Sequence, residues 1–197
     1  MVDDGSADGT AQVTRELIPT HPGLRLVSHP ANRGYGAAVR TGLESATMDY
    51  VFFSDADLQF DPGELGLLIE HIGEYDLVTG YRQHRKDNAV RKLNAGAWGA
   101  LMRLALGVRA RDIDCAFKLF TREILDRIGL DSLRSEGAFI SAEILARLAH
   151  AGGRIKEVPV SHFDRRAGAQ TGANPRVILR AFRELFKLRR EIRRPGG

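Results

Sequence analysis

Asp55, Asp57 and Gln59 stand at alternate positions directly after the run Tyr50–Ser54. Two carboxylates and an amide oxygen, with no His or Cys beside them, form a hard-oxygen donor set. Such a set suits Mg2+ or Mn2+, ions that are usually held together with substrate phosphates. For Asp-x-Asp alone, a turn-forming acidic pair is the competing reading. A calcium loop fits the first ligand spacings and fails further on, where Phe60 replaces the required Gly and Gly66 the required Glu. Gly34 and Gly36, in the segment 32–42, are followed by small residues in a helical pattern, which lets backbone N–H groups approach an anion at a helix N-terminus. Arg82, Arg85, Lys86 and Arg91 cluster past another apolar run, either as a solvated loop or as a phosphate clamp built on guanidinium forks.

These groups need a scaffold. Tyr50–Ser54 is apolar, aromatic and β-branched, the pattern of a buried strand, and Pro62 lies beyond its end. The donors at 55–59 therefore sit at the carboxyl rim of a strand, where ligands bind in open α/β sheets. Around it the sequence predicts a strand ending at Val2, a helix over 11–18 with Thr10 as N-cap, a strand over 24–28 and a helix from the Gly34 segment to about Ala46. Further along it predicts a helix over 63–72, a strand over 75–80, an apolar helix over 94–106 and a segment 111–120 that combines Asp112 and Asp114 with a strand-like end. A helix and turn over 125–133, a helix over 139–149 containing Glu143 and a strand over 155–160 follow. The alternation of strands and helices points to an α/β fold with a parallel sheet and crossover helices.

Composition narrows the class. A chain of 197 residues with 43% hydrophobic and 27% charged residues is ordinary for one substantial globular domain. Cys115 is the one cysteine, so no internal disulfide forms, which fits a reducing compartment. It reads as a packed small side chain. No signal peptide is visible, and the apolar stretch 95–108 is too short for a bilayer span. Of the histidines, His162 alone stands out, beside Arg165 and Arg166.

The net charge of +4 is unevenly spread: residues 165–197 carry ten Arg or Lys and two Glu, a balance of +8, which leaves −4 for residues 1–164. The sequence thus divides into a body, 1–164, and a basic tail, 165–197. From Pro175 to Arg194 the tail has a helical pattern with Ile178, Ala181, Phe182, Leu185, Phe186 and Ile192 on one face and Arg or Lys around it. Such a helix either lies in an anionic membrane interface or packs on its own domain with a solvated basic face. No aromatic stacking platform or recognisable module supports nucleic acid as the partner.

Taken in order, the segments 2–10, 32–42, 55–59 with Pro62, 80–85, 112–120 and 157–172 resemble the family 2 glycosyltransferases, and most of all the polyprenyl-phosphate sugar synthases of the dolichol-phosphate mannose synthase type. The resemblance implies a GT-A fold, a nucleotide-binding α/β sandwich with a mainly parallel sheet. It implies that Asp3 and Asp4 contact the nucleoside of a GDP- or UDP-linked sugar, with Gly34, Gly36, Arg40 and Asp55 near the nucleotide sugar. Asp55, Asp57 and Gln59 are similar to a metal–diphosphate site for Mg2+ or Mn2+. Arg82, Arg85, Arg91 and Lys118 match positions on the acceptor-phosphate side, and Asp112 and Asp114 match a motif whose acid is proposed as a base. Ala116 stands where Gly is common. The implied reaction is inverting transfer of a sugar to a polyprenyl phosphate, dolichyl or undecaprenyl, by a cytoplasmic enzyme peripheral on the inner membrane face. Transfer to a glycan or small-molecule hydroxyl is the alternative. A first strand with a Pro-x-x-Asn-Glu-like segment is usual in the family and has no counterpart here, so a truncated, non-catalytic fragment is a further expectation to weigh.

Overall fold

The strand Phe117–Thr121 is the centre of the molecule, and its sequence explains why. It is Phe-Lys-Leu-Phe-Thr, with the first four side chains buried. In a strand successive side chains point to opposite faces, so Phe117 and Leu119 enter one apolar cluster while Phe120 enters the other. A computed structural model describes residues 1–83, 89–164 and 175–192, with side chains described outside 89–97 and 175–180. In chain order the elements are β1 (Val2–Asp3), α1 (Thr10–Leu17), β2 (Val27–Ser28), α2 (Tyr35–Ser45), β3 (Tyr50–Ser54), α3 (Leu65–Ile72) and β4 (Leu77–Arg82). They continue with α4 (Ala89–Leu106), β5 (Phe117–Thr121), α5 (Arg122–Ile128), α6 (Ile140–His150), β6 (Ile155–Val160) and α7 (Pro175–Ile192).

Two sheets result. β1 and β2 pair in parallel over two residues each, Val2 with Val27 and Asp3 with Ser28. The larger sheet has the order β3-β5-β4-β6. β5 runs antiparallel to both neighbours, and β4 and β6 are parallel. Three strands of this sheet therefore point one way, with β5 reversed between them. The fold is the expected GT-A-like α/β type, with helices flanking a mixed, mostly parallel sheet. Among the described residues, β1 is hydrogen-bonded only to β2, and β3 only to β5. α2 contacts both β1 and β3, so it spans the two sheets.

Boundaries differ where pairing or caps decide them. Of the segment 24–28, only Val27–Ser28 is a strand, because its partner β1 offers only two residues. Thr10 is the first residue of α1 rather than its cap; Gly9 holds the cap position, and the Thr10 hydroxyl donates to Asp8. α4 begins at Ala89 rather than Asn94.

One face of the larger sheet packs on α3 through Leu68 and Ile72. The other packs on α5, α6 and α7, and here Leu185 and Leu188 are 1% and 3% exposed. Trp98 meets the rings of Phe139 and Phe182 edge-on, with centroids 6.3 and 5.8 Å apart. α7 thus inserts leucines into the main core while Phe186 is 61% exposed. Ile178 and Arg194 lie outside the residues whose side chains are described.

Truncating a fully buried leucine removes its burial and leaves a cavity, whereas an exposed ring loses little. Leu188→Ala is expected to lower the free energy of unfolding in urea by about 2–5 kcal/mol, and Phe186→Ala by less than about 0.5 kcal/mol.

Candidate active site

Strand directions bring the predicted residues to one rim. β3 and β5 pair with Ser54 opposite Phe117, so β3 ends where β5 begins and residues 55–57 meet residues 112–116. Thr79 opposes Lys118, which brings the end of β4 and Arg82 to the same rim. The parallel partner β6 leaves there too, and Phe163 beyond it donates its N–H to the Gln59 carbonyl at 2.8 Å. The Gln59 side-chain amide returns a bond to the Phe163 carbonyl at 3.1 Å. Gln59 is 8% exposed, so it fastens the 55–59 turn to the segment after β6. Within that turn Asp57 accepts from the Gln59 N–H at 3.1 Å, and Leu58 has φ 60°. A positive φ in a leucine is a strained backbone of the kind found at functional sites.

Tyr35, the first residue of α2, reaches across to this turn: its hydroxyl donates to Asp55 Oδ1 at 3.0 Å. Partial withdrawal from water and the negative charges of Asp55, Asp114 and Asp57 all push the phenol above its ordinary range, so it stays protonated. Tyr35 thus offers Asp55 a neutral donor. The sequence reading missed Tyr35, although it sits between the two glycines singled out there.

Those glycines serve an internal approach. Gly36 donates its N–H to the Glu136 carbonyl at 2.7 Å, and a Cβ on Gly36 would lie 2.2 Å from the Ser135 carbonyl oxygen. Gly34, at φ 97°, would carry its Cβ 2.4 Å from the Glu136 oxygen. Their small size lets residues 135–136 lie against the start of α2. Asp4 holds the same place from below, accepting from the N–H groups of Arg33 and Gly34 at 2.9 and 2.8 Å and from His29 Nδ1 at 2.6 Å. Burial pushes the Asp4 carboxyl up, but these donors outweigh it and keep it below the usual carboxylate range. His29 is anchored in turn to Thr41 of α2 at 3.0 Å. Asp3 is buried and accepts from the Ser6 N–H at 3.2 Å. Arg40 donates to the Leu133 carbonyl.

The 133–136 segment has a further anchor in Glu143 of α6, 1% exposed. Its carboxylate accepts from the N–H groups of Arg134 and Ser135 and from the Arg147 guanidinium, at 2.8 to 3.1 Å. A charged residue in the middle of an apolar helical pattern is the sequence signal that points to Glu143.

On the β5 side, Arg82 and Asp112 form a fork. Arg82 Nε and Nη2 each lie 2.6 Å from an Asp112 oxygen, and the Arg82 N–H lies 3.2 Å from Oδ2. Burial opposes the Arg82 charge, yet the Asp112 carboxylate outweighs it and raises the guanidinium above its ordinary value. Asp112 is buried and forked to Arg82, whereas Asp114 is exposed. Lys118 is 1% exposed and points beneath the loop, donating to the carbonyls of Ile113 and Cys115. Burial holds its ammonium below the ordinary lysine value. Cys115 is buried, and burial pushes its thiol up to about 11, as expected of a packed side chain. Arg85 lies outside the described residues, as does the side chain of Arg91.

Among the described residues no three His, Cys, Asp or Glu side chains stand close enough to hold a metal by themselves. A two-carboxylate seat at Asp55 and Asp57 nonetheless fits a hard divalent ion, because Mg2+ and Mn2+ are commonly shared between one or two carboxylates and substrate phosphates. No described helix is long and apolar enough to cross a membrane.

Comparison with known proteins agrees with this architecture. Residues 1–129 match the family described as Glycosyl transferase family 2. Two undecaprenyl-phosphate 4-deoxy-4-formamido-L-arabinose transferases are similar to the chain. That of Aeromonas hydrophila is 34% identical over 85% of this chain and 50% of its own length. That of Klebsiella pneumoniae is 33% identical over 90% and 53%. The chain spans about half the length of these relatives. Among solved structures, mannosyl-3-phosphoglycerate synthase from Rubrobacter xylanophilus superposes with a TM-score of 0.69 at 19% identity, covering 100% of this chain and 65% of that one. Glucosyl-3-phosphoglycerate synthase from Mycobacterium tuberculosis, in complex with Mn2+ and UDP-glucose, gives 0.64 at 18% identity over 100% and 68%.

The two acids of the 112–114 loop should separate in stability measurements. Asp112→Ala removes the buried half of the fork from the half-buried Arg82 and is expected to lower unfolding free energy by about 2–4 kcal/mol. Asp114→Ala, at an exposed position, is expected to cost less than about 1 kcal/mol in the same urea titration.

Proposed function

Because the chain belongs to glycosyl transferase family 2, we propose that it transfers a sugar, with inversion, from a UDP- or GDP-linked donor to a polyprenyl phosphate at a membrane surface. The observation that carries this reading is the turn after β3, where Asp55 accepts from the Tyr35 hydroxyl and Asp57 from the Gln59 N–H, at the rim where β3, β4 and β6 end. In this proposal Asp55 and Asp57 hold Mg2+ or Mn2+, which when bound supplies positive charge for the diphosphate leaving group. Gln59 keeps the turn fastened to Phe163. The nucleotide lies along Asp3, Asp4 and the Gly34–Gly36 start of α2, with Arg40 and Glu143 holding the adjoining wall through residues 133–135.

The acceptor approaches from the β5 side. A phosphate monoester is already anionic at neutral pH, so positioning by cations matters more than a strong general base. Arg85 and Arg91 are proposed to take the acceptor phosphate. Arg82, fork-bound to Asp112, shapes the wall and lends its charge, and Lys118 stiffens the loop from below. Asp114 orients the acceptor. The polyprenyl-phosphate acceptor is supported by the names of the relatives at 33–34% identity. Peripheral attachment to the inner membrane face is supported by α7, where exposed Phe186 lies among Arg183, Lys187 and Arg190 around a surface cavity of about 430 Å³. Basic amphipathic helices are attracted to anionic headgroups.

Calorimetric titration with UDP, GDP and their sugar conjugates tests the donor half. Binding of one nucleotide that requires Mn2+ and is lost in Asp57→Ala is expected; metal-independent binding, or binding unchanged by the substitution, contradicts the proposal. Asp114→Asn tests the acceptor half in a transfer assay. A phosphate acceptor predicts a reduced but measurable rate, whereas abolition points to a hydroxyl acceptor that needs a true base.

A further inference from the structure

Tyr35 is held more tightly than a helix-start residue needs. On one side Gly34 is fixed by Asp4, which accepts its N–H at 2.8 Å, and by the Glu136 carbonyl, which leaves no room for a Cβ. On the other side the Gly36 N–H is bonded to that same carbonyl at 2.7 Å. Glycine on both sides of one aromatic residue, locked by two separate elements, fixes the backbone from which the phenol projects. The ring then crosses from α2 to the end of β3 and gives its proton to Asp55 Oδ1 at 3.0 Å. The tyrosine is 37% exposed, so burial alone does not account for this placement.

The hydroxyl bonds Asp55, and Asp57 stands two residues on in the same turn, accepting from the Gln59 N–H. An outer-shell donor that bonds one oxygen of a metal-ligating carboxylate fixes that carboxylate's orientation. We propose that Tyr35 is a positioning residue: its hydroxyl holds Asp55 in the orientation that receives a divalent cation, between the donor-side and acceptor-side acids. The inference rests on the reading of Asp55 and Asp57 as the cation seat. It assigns the Gly34–Gly36 segment a role beyond contact with the nucleotide sugar, as the rigid mount for this tyrosine.

The test is Mn2+ binding to the full chain, followed by the loss of the free-ion electron paramagnetic resonance signal, for wild type, Tyr35→Phe and Asp57→Ala. The phenylalanine variant keeps the ring and is expected to keep the thermal midpoint, while Mn2+ binds about tenfold or more weakly, in the range typical of outer-shell losses. Equal or tighter Mn2+ binding by a folded Tyr35→Phe variant would overturn the inference and leave the cation seat intact. Failure of the wild type to bind Mn2+, or unchanged binding in Asp57→Ala, would overturn the seat and the inference together. A second readout uses 3-fluorotyrosine incorporated at the four tyrosines. The fluorine resonance that disappears in Tyr35→Phe should shift on addition of Mg2+. A tyrosine that only supports the fold would leave that resonance unmoved.

Discussion

Like charges repel, and the proposed site of this protein draws on five acids, Asp4, Asp55, Asp57, Asp112 and Asp114. Two unit charges 4 Å apart interact by about 4 kcal/mol at the effective dielectric of a protein surface, so such a site forms only if its acids are separately answered. Each described partner does a different share of this. Asp4 is answered by two backbone N–H groups and His29, Asp112 by the Arg82 fork, and Asp55 by the neutral Tyr35 hydroxyl. Lys118 ties the 112–115 loop from beneath through the carbonyls of Ile113 and Cys115. Asp57, which accepts from the Gln59 N–H, and the exposed Asp114 complete the acids proposed for the cation and the anionic substrate.

The same constraint explains the sheet. A strand reversed between β3 and β4 brings its own start to their ends, and the loop before it delivers Asp112 and Asp114 opposite Asp55 and Asp57. A fully parallel sheet would send that loop to the other edge. α2 bridges the two-stranded and four-stranded sheets, which share no hydrogen bonds among the described residues. Its N-terminus therefore needs the external clamps that Asp4 and residues 135–136 provide. The network continues outward through Glu143 and Arg147 to Glu191 on α7, 3.2 Å from Arg147. α7 is thus tied to the same scaffold by charge as well as by Leu185 and Leu188.

Local pattern carried much of this. Tyr50–Ser54 and Ile155–Val160 are legible as strands because apolar and β-branched residues run to their ends, and the span of each matches the expectation. The chemistry of Asp55 and Asp57 is legible because their spacing is short. Pairings across long separations are not. Arg82 and Asp112 are thirty residues apart, and nothing in either neighbourhood says that they neutralise each other. Lys118 reads as an exposed cation until strand alternation turns it inward with Phe120. Gly34 and Gly36 announce a close approach but not its partner, which is the chain's own 135–136 segment. Leu188 is not legible as a core residue of α7, because the helical pattern shows a stripe without showing which part of it meets the core.

In the proposed function Asp55 and Asp57 form one seat for a divalent cation and a nucleoside diphosphate. Anomalous diffraction at the manganese edge from crystals grown with Mn2+ and the nucleotide tests it most directly. The account predicts a single strong peak within about 2–2.5 Å of an oxygen of Asp55 or Asp57, with diphosphate oxygens completing the shell beside the start of α2. A peak elsewhere on the chain, with nucleotide bound and the Asp55–Asp57 rim holding no metal, would contradict it.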